Sequence, residues 1–499
     1  MDMRQEDIYV FNPDYFLKPD KNRVLITRRS SDPRIGDFIG FVHPVYAILL
    51  SLFDGEKELG RVIASAASIL KKEPVIISNI ILPLLENEEP LYFHFDGRDF
   101  SFPARLLVRK SNRYSYEKLN PESFFIPKKD LDFDTWRLNI PLDALFIINT
   151  RCVTDCVYCY ADRRRSMDCE IPIDRLKELI QEARELQMRY INISGGELFL
   201  YKHWEVLLSE LLTNGLVPYI STKCPINERT INKLKEMGLK KIQVSIDSIM
   251  PEELTRMLKV KPDYPVKLME TLKKLDEKGF EIFTNTQITS TNNGNIPQLL
   301  DFLLSLKNIK RINMGAAAFS LYLGESKYKE YRTSLEKLEQ LKMRLEDLKK
   351  QYWGNVTINF SGYADKNGLI DKAPEEKKKN FGERARCSGN FYSFTILPDG
   401  KVTICEELYW HPKFIIGDLS RQSIKEVWNS KPALELYNIS RGMIKDESPC
   451  KTCPEFDPCH KTKGVCWKEV LYAYGEENWD YPDPKCPYAV KPIREYYFS

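Results

Sequence analysis

The chain has 499 residues, too many for one ordinary hydrophobic core, so we expect about two to four domains. Hydrophobic residues make up 43% of it and charged residues 29%, which is typical of a globular protein and not of a disordered or membrane-embedded one. A net charge of +3 gives no support for nucleic acid or a membrane surface as a partner. The opening segment MDMRQEDIYVFNPDYF lacks the apolar core of a signal peptide, so we expect a cytoplasmic location.

Residues 1–110 predict a small mixed domain. The segment YFLKPDKNRVLITRR indicates a hairpin, because polar turn residues separate two alternating runs. Three short helices are predicted in HPVYAILLSLFDG, closed by Gly55, in GRVIASAASILKK and in VIISNIILPLLENEE. One aromatic strand, LYFHFDGRDF, follows, and the whole pattern resembles a winged helix. Residues 111–140 are polar and interrupted by Pro121 and Pro127, which is typical of a linker.

Residues 141–350 alternate between strand and helix patterns. The six strand candidates are ALFIINT, YINISGG, VPYIST, KIQVSI, IFTNTQIT and IKRINMG. Six β–α units in series predict a parallel sheet with outer helices, either open or partly closed into a barrel. Functional residues are then expected at the carboxyl ends of the strands. The charged stretch 325–350 predicts one long surface helix.

Residues 355–499 show little periodicity but many cysteines. None of the 12 cysteines precedes Cys152, three fall between Cys152 and Cys159, and seven fall between Cys387 and Cys486. In a reducing compartment, clustered cysteines more often bind metal or do chemistry than form disulfides. We therefore expect metal crosslinks to hold this region together.

The motif TRCVTDCVYCY directly follows the first predicted barrel strand. Three thiolates at the spacing C-x3-C-x2-C fit three irons of a cubane and leave the fourth iron open for a small molecule. A zinc knuckle is the alternative, but zinc wants a fourth protein ligand, and Cys169 ten residues on is expected to be a bystander. The spacing favours an iron–sulfur cluster held by Cys152, Cys156 and Cys159.

This motif resembles the signature of the radical S-adenosylmethionine (SAM) superfamily, in which an aromatic residue precedes the last cysteine. The resemblance implies a partial (β/α)6 TIM-like barrel and cleavage of SAM to a 5′-deoxyadenosyl radical. It also implies cofactor contacts at strand ends, from Tyr158 near the adenine, Gly195, Gly196 and Glu197 at the SAM amino group, Ser221, and Ser245 with Asp247 at the ribose. Arg256 is a weaker candidate for the SAM carboxylate.

The seven distal cysteines resemble the SPASM extension, which holds two auxiliary 4Fe–4S clusters. That resemblance assigns Cys450, Cys453, Cys459 and Cys486 to an outer cluster and Cys387, Cys405 and Cys466 to an inner one. Seven ligands are one short of eight, so the inner cluster is expected to keep an open iron for a substrate cysteine. A pair of zinc ribbons is the alternative for this region. His460, beside Cys459, is an alternative ligand, and Cys224 is expected to be a buried small residue.

The third N-terminal helix is apolar and acidic, unlike the basic recognition helix of a DNA-binding domain. The domain resembles instead the element that recognises leader peptides on enzymes that modify ribosomally made precursor peptides. There the leader adds as a strand to the sheet, and residues 23–28 (RVLITR) are the predicted edge. A wholly structural cap is the alternative.

Together these resemblances imply a peptide maturase with SAM, three 4Fe–4S clusters and a reductant such as flavodoxin or ferredoxin. We expect thioether bonds from substrate cysteines in a precursor peptide whose leader binds the N-terminal domain. Alternatives are a carbon–carbon crosslinking maturase, an anaerobic sulfatase-maturing enzyme that makes formylglycine, and a non-enzymatic peptide-binding module.

Overall fold

The structure is a computed structural model that describes residues 6–29, 38–112, 116, 118–352, 355–362, 373–384, 386–462 and 464–494. The chain forms two compact units, Met1–Ile140 and Pro141–Ser499. In the described ranges, no helix has both the length and the apolar composition needed to cross a membrane.

The first unit combines short antiparallel sheets with three helices. Its strands are β1 (Tyr9–Phe11), β2 (Tyr15–Pro19), β3 (Val24–Arg28), β4 (Ile39–Val42), β5 (Leu91–Phe95), β6 (Arg98–Phe102) and β7 (Leu107–Arg109). Its helices are α1 (Pro44–Ser51), α2 (Leu59–Leu70) and α3 (Pro74–Ile81). The predicted hairpin is confirmed as β2 paired antiparallel with β3, and all three predicted helices are present. Helix α1 ends at Ser51 rather than at Gly55.

The aromatic segment near residue 95 is a hairpin, so the prediction of one strand there was wrong. Asp96 and Gly97, both with positive φ (50° and 75°), form the turn between β5 and β6. An Asp-Gly pair favours such two-residue turns because both positions need φ above zero. The inward-facing aromatic residues Phe100 and Phe102 then join the buried core of the unit.

The predicted docking edge at residues 23–28 is also wrong, because β3 is the central strand of the sheet β2-β3-β4. It pairs with β2 on one side and with β4 on the other. Arg23 just before it is buried, bonds Asp20 at 2.9 Å and donates to the carbonyls of Thr135 and Arg137. The segment predicted as a linker therefore packs, near its end, within the first unit.

The second unit is built on the predicted series of parallel strands. These are β8 (Asp143–Ile147), β9 (Tyr190–Ser194), β10 (Ser221–Thr222), β11 (Lys241–Ser245), β12 (Glu281–Ile288), β13 (Ile309–Ala316) and β14 (Thr357–Ser361). Strands β10 to β14 form one sheet in that order, and a parallel bridge between Ile193 and Ile220 connects β9 to β10. The six predicted strands thus form an open (β/α)6 barrel, with β14 as an added edge strand.

Helices follow these strands and cover the sheet. They are α4 (Ile173–Glu185), α5 (Trp204–Thr213), α6 (Glu228–Glu236), α7 (Pro251–Leu258), α8 (Tyr264–Glu277), α9 (Ile296–Leu304), α10 (Gly324–Tyr331) and α11 (Leu335–Gln351). The stretch 325–350 is two helices rather than the predicted one, because Arg332 is extended and Ser334 caps α11 through the Lys337 amide. Leu338 and Leu345 of α11 are buried in the main core, so this helix is not wholly solvated.

The cysteine-rich region continues the same fold. Strand β15 (Ser393–Ile396) lies parallel to β8 and pairs antiparallel with β16 (Lys401–Thr403), which pairs with β17 (Ile415–Asp418). Its described residues also form the α-helices α12 (Pro374–Glu383), α13 (Ile424–Trp428), α14 (Lys431–Tyr437), α15 (Phe456–Thr462) and α16 (Trp467–Tyr474). Because the β15–β16 hairpin is short, it brings Cys387, which precedes it, near Cys405, which follows it.

Candidate active site

A cavity of about 570 Å³ occupies the interior of the barrel. Most of the site residues expected from the sequence line it, on segments that lie far apart in the chain: Cys152, Cys156, Cys159, Tyr158, Gly195, Gly196, Ser221, Ser245 and Asp247. Glu197 and Arg256 do not line it, and Arg256 is exposed on α7. The carboxyl ends of the parallel strands therefore converge as a barrel requires.

The cysteine loop after β8 is anchored at its middle. The amides of Asp155 and Val157 donate to the carbonyls of Leu258 and Met257, both at 2.8 Å. Thr154 Oγ1 lies 3.3 Å from Cys152 Sγ and 3.2 Å from Cys156 Sγ, so these two thiols face the same hydroxyl.

The thiols of this loop suit a cationic cluster. Burial, reinforced by Cys156, raises the pKa of the Cys159 thiol to about 11. A thiol that keeps its proton in the metal-free protein gives it up to a metal, because thiolate is the ligand form. The three cysteines of the loop all line the cavity, and three thiolates fit a cubane with one iron left for a small molecule.

Gly195 and Gly196 allow two loops to pack together. A Cβ on Gly196 would lie 1.8 Å from the carbonyl oxygen of Arg151, and Gly195, at φ +124°, would place one 2.5 Å from the oxygen of Asn149. No side chain fits at either position. The glycines thus hold the end of β9 against the start of the cysteine loop, while their backbone faces the cavity.

The Glu197 carboxylate binds the protein rather than the cavity. Both of its oxygens lie 2.9 Å from Thr222 Oγ1, and one accepts from the Lys223 amide at 3.2 Å. Asn149 bonds the Glu197 backbone on both sides, at 2.8 and 3.0 Å. The side chain is 2% exposed, and burial raises its pKa. This geometry supports a positioning role, tying three strand ends together, instead of the expected contact with a SAM ammonium.

Lys223 is a site residue that the motifs did not identify. Its Nζ lies 2.7 Å from Asp247 Oδ2 and 2.6 Å from the Tyr158 hydroxyl, and all three residues line the cavity. Tyr158 also donates to Asp247. Burial lowers the pKa of Lys223, but Asp247 and Cys156 raise it by more, so the net shift is upward. The sequence feature that could have identified Lys223 as a site residue is its position directly after the strand end at Ser221–Thr222.

Gln243 connects the two serines expected at the site. Ser221 donates to its Oε1, and its Nε2 donates to Ser245 Oγ at 2.9 Å. These residues stand on neighbouring parallel strands, with Ser221 opposite Gln243. They make a continuous polar strip across β10 and β11.

The four cysteines assigned to an outer cluster line a second cavity of about 220 Å³: Cys450, Cys453, Cys459 and Cys486. Burial, with the neighbouring thiols, raises the pKa of both Cys450 and Cys486 to about 12. Arg384 Nη2 lies 4.0 Å from Cys459 Sγ and supplies positive charge. A closed set of four thiols fits a fully protein-ligated cluster.

The three cysteines assigned to an inner cluster also lie near one another. Burial raises the pKa of both Cys405 and Cys466, and the charge of Cys387 adds to each shift. Of the other two cysteines in the described ranges, Cys169 lies beside Tyr201 and Cys224 beside Glu197 and Cys152, so neither completes this set. His460 lines a small cavity with Cys387 as well as the outer one.

The inner set is connected to the main cavity. Glu406 and Glu407 directly follow Cys405 and line the same cavity as the first three cysteines. Glu407 pairs with Lys468 and Tyr472, and Glu406 accepts from the Tyr160 hydroxyl at 3.0 Å. The cavity that holds the first three cysteines therefore extends to the residues directly after Cys405.

Family models match both parts of this arrangement. Residues 146–306 match the model of the radical SAM superfamily, and residues 387–454 match the SPASM model, described as an iron–sulfur cluster-binding domain. The chain is a radical SAM enzyme with a SPASM domain. Its cofactors are SAM and 4Fe–4S clusters, as expected from the cysteine patterns.

The curated relatives are distant in sequence but align with most of this chain. The PqqA peptide cyclase of Rhizobium meliloti (strain 1021) is 22% identical over 64% of this chain and 80% of its own length. The Fe-coproporphyrin III synthase of Methanosarcina barkeri (strain Fusaro / DSM 804) is 26% identical over 70% of this chain and 88% of its own. The names of these two relatives indicate different substrates, so the relatives alone do not identify the substrate of this radical SAM enzyme.

Solved structures match nearly the whole radical SAM enzyme. Streptococcus suis SuiB bound to SAM has a TM-score of 0.64 at 16% identity, covering 96% of this chain and 99% of that one. SuiB bound to its precursor peptide SuiA has a TM-score of 0.63 at 17% identity, covering 95% and 99%. The likeness shows that the fold, including the N-terminal unit, is shared.

Proposed function

We propose that this radical SAM enzyme is a maturase that crosslinks a ribosomally made precursor peptide, forming thioether bonds from substrate cysteines. The observation that carries the proposal is the grouping of the seven distal cysteines into four that line one cavity and three that interact with one another, with Glu406 and Glu407, directly after Cys405, lining the main cavity. A set of three protein thiols leaves a place for a substrate thiolate next to the site of radical chemistry.

The cofactors would be held by residues whose positions support that role. We propose three 4Fe–4S clusters, with Cys152, Cys156 and Cys159 at the SAM-binding one. When bound, SAM and that cluster supply a 5′-deoxyadenosyl radical able to remove a substrate hydrogen. Tyr158, Gly195, Gly196, Ser221, Ser245 and Asp247 would orient SAM, and Glu197 would hold the strand ends that carry them.

A peptide substrate is supported by the named relatives, since one is a PqqA peptide cyclase and SuiB has been solved with a precursor peptide. The size of the cavity suits a peptide segment, and Glu406 and Glu407, which follow Cys405, are part of its lining. Formation of a thioether removes one hydrogen from a substrate carbon and one from the thiol. We expect the electrons for SAM cleavage to come from a flavodoxin or ferredoxin in the cytoplasm.

We place the leader peptide at the N-terminal unit, on the edge of β4. Arg28 donates to the carbonyl of Phe38, so alternate residues along β4 bond β3. The backbone groups of Ile39 and Phe41 then point away from β3, as strand addition requires. The β5–β6 hairpin contacts β4 without sharing its ladder, so it flanks this edge.

Mass spectrometry of a cysteine-containing peptide encoded beside the gene tests the proposal. After reaction with the reduced enzyme and SAM, we expect a loss of two hydrogens per crosslinked cysteine and no remaining reaction of that cysteine with iodoacetamide. Conversion of the cysteine side chain to an aldehyde, detected by the change in mass, would support formylglycine formation instead. The Cys152→Ala variant, which lacks one cluster ligand, is the control that must release no deoxyadenosine.

A carbon–carbon crosslink is the second candidate, and the position of His460 favours it. Because His460 lines a cavity with Cys387, an imidazole could fill the fourth position of the inner set. Spectra of the inner cluster in the wild type and in His460→Ala, each with and without peptide, separate the two candidates. A change on adding peptide supports the thioether reaction, whereas a change caused only by His460→Ala supports the carbon–carbon crosslink.

A further inference from the structure

A row of three amide side chains crosses the barrel wall from the cavity to its edge. Asn285, Asn313 and Asn359 stand opposite one another on β12, β13 and β14. Asn313 Nδ2 donates to Asn285 Oδ1 at 2.9 Å, and Asn359 Nδ2 donates to Asn313 Oδ1 at 2.9 Å. Opposed residues share a face of a sheet, and Asn285 lines the cavity, so the whole amide row lies on the cavity side.

The amide row keeps spare hydrogen-bonding capacity. Each amide has two N–H donors and two acceptor lone pairs, and the bonds within the row use only part of them. In the described ranges Asn285 Nδ2 makes no side-chain hydrogen bond within the row and is not among the buried atoms that lack a partner, so this donor is accessible from the cavity that Asn285 lines. Exposure increases along the row, from half-buried Asn285 and Asn313 to exposed Asn359.

We propose that the amide row binds the main chain of the peptide substrate, an inference that rests on the proposed function. A peptide main chain presents N–H donors and C=O acceptors in alternation, and a neutral amide can pair with either. The row spans neighbouring strands about 4.8 Å apart, so it extends well beyond the strand ends assigned to SAM. Because such contacts involve only the main chain of the peptide, segments with different side chains would bind equally well at the site.

Measurement of the enzyme's affinity for the peptide tests this proposal directly. The probe is the cysteine-containing peptide encoded beside the gene, titrated onto the cluster-loaded enzyme with SAM. Asn313→Ala removes the middle amide, and Asn359→Ala removes the exposed outer one. We expect each to raise the peptide KM about tenfold, as loss of one or two hydrogen bonds does, with kcat at saturating peptide within about twofold.

Two controls separate this role from a structural one. Asn214→Ala removes an amide that bonds only its own helix at Glu210, and it should leave the peptide KM unchanged. The SAM dissociation constant and peptide-free deoxyadenosine release should be unchanged in Asn313→Ala. An unchanged peptide KM, or a weakened SAM affinity, in Asn313→Ala overturns the inference. Absence of any peptide binding to the wild type would overturn the proposed function together with it.

Discussion

The ammonium of Lys223 lies 2.7 Å from the carboxylate of Asp247, which has no exposed side-chain surface. The lysine side chain is 13% exposed and also reaches the Tyr158 hydroxyl of the cysteine loop. This pair joins the ends of β10 and β11 and connects both to the loop that carries Cys156 and Cys159. The other carboxylate oxygen of Asp247 accepts from the backbone amide of Gln287 at 2.9 Å, which connects β12 to this pair as well.

Removal of this lysine should be costly. Lys223→Met leaves a buried carboxylate without its cation, which typically lowers the free energy of unfolding by about 3–5 kcal/mol. Lys241→Met makes the same change in an exposed pair 3.9 Å from Glu281 and should cost less than about 1 kcal/mol. Urea unfolding of both variants, with SAM affinity measured alongside, checks this. Equal losses in the two variants would contradict the role assigned to the pair.

A methyl group at Gly196 should separate the two loops that the glycine allows to pack. Because a Cβ would lie 1.8 Å from the Arg151 oxygen, Gly196→Ala must move backbone, at about 1–3 kcal/mol or more. We expect loss of SAM cleavage with the barrel still folded by circular dichroism. Gly294→Ala, where nothing lies within 4 Å, should be neutral in both measurements. Retained SAM cleavage in Gly196→Ala would contradict this packing.

Iron content tests the division of the cysteines into three sets. We expect about 12 iron atoms in the reconstituted chain and about 8 after Cys152, Cys156 and Cys159 are replaced together by alanine. That triple variant should keep its iron–sulfur absorbance and cleave no SAM. Replacing Cys169 and Cys224, which belong to none of the three sets, should leave the iron content unchanged. An iron content near four atoms per wild-type chain would contradict the presence of the auxiliary clusters.

Acid should loosen helix α1 through His43. Its Nδ1 accepts from the Val45 amide at 3.3 Å and so caps the helix. Burial lowers the pKa of His43, while Asp96 raises it and Lys128 lowers it further; Arg98 lines the same small cavity. The unfolded chain then binds a proton more readily than the folded one, so stability present at neutral pH is lost as pH falls below about 6.5.

Hydrogen exchange of Pro44–Ser51, corrected for the intrinsic pH dependence, measures this effect. Protonated Nδ1 can no longer accept, so we expect a loss of about 1 kcal/mol of local protection in acid. His43→Asn keeps a cap without titrating and should remove the pH dependence. His94→Asn, at an exposed histidine paired with Asp99, should retain it. The same acid response in both variants would exclude His43 as its origin.

Much of the site was predictable because its chemistry lies in short segments. The spacing of Cys152, Cys156 and Cys159 and the order of the later cysteines depend on local loops, so the sequence alone indicated their roles. The Asp96–Gly97 turn carried an equally local signal that a single-strand interpretation overlooked. Lys223 was missed because its partners, Tyr158 and Asp247, come from other segments and meet it only in the barrel.

Other errors arose where a neighbouring strand decides the outcome. A strand with alternating apolar residues has the same sequence pattern at the edge and in the centre of a sheet. The position of residues 23–28 is therefore shown only by the pairing of β3 with β2 on one side and β4 on the other. The SAM contacts expected of Gly195 and Gly196 stay a prediction, and both glycines line the cavity. Only the packed structure shows that their Cβ positions are filled by Asn149 and Arg151 and that the Glu197 carboxylate binds Thr222.

By itself, the sequence predicted the series of parallel strands, because periodicity acts over a few residues. The cysteine motifs, through their resemblance to known families, implied SAM and the three groups of cluster ligands. Tertiary structure alone decided which side chains share the cavity, that Lys223 pairs with Asp247, and that Asn285, Asn313 and Asn359 form one row. Those relationships depend on strand register between segments tens of residues apart, which no local pattern encodes.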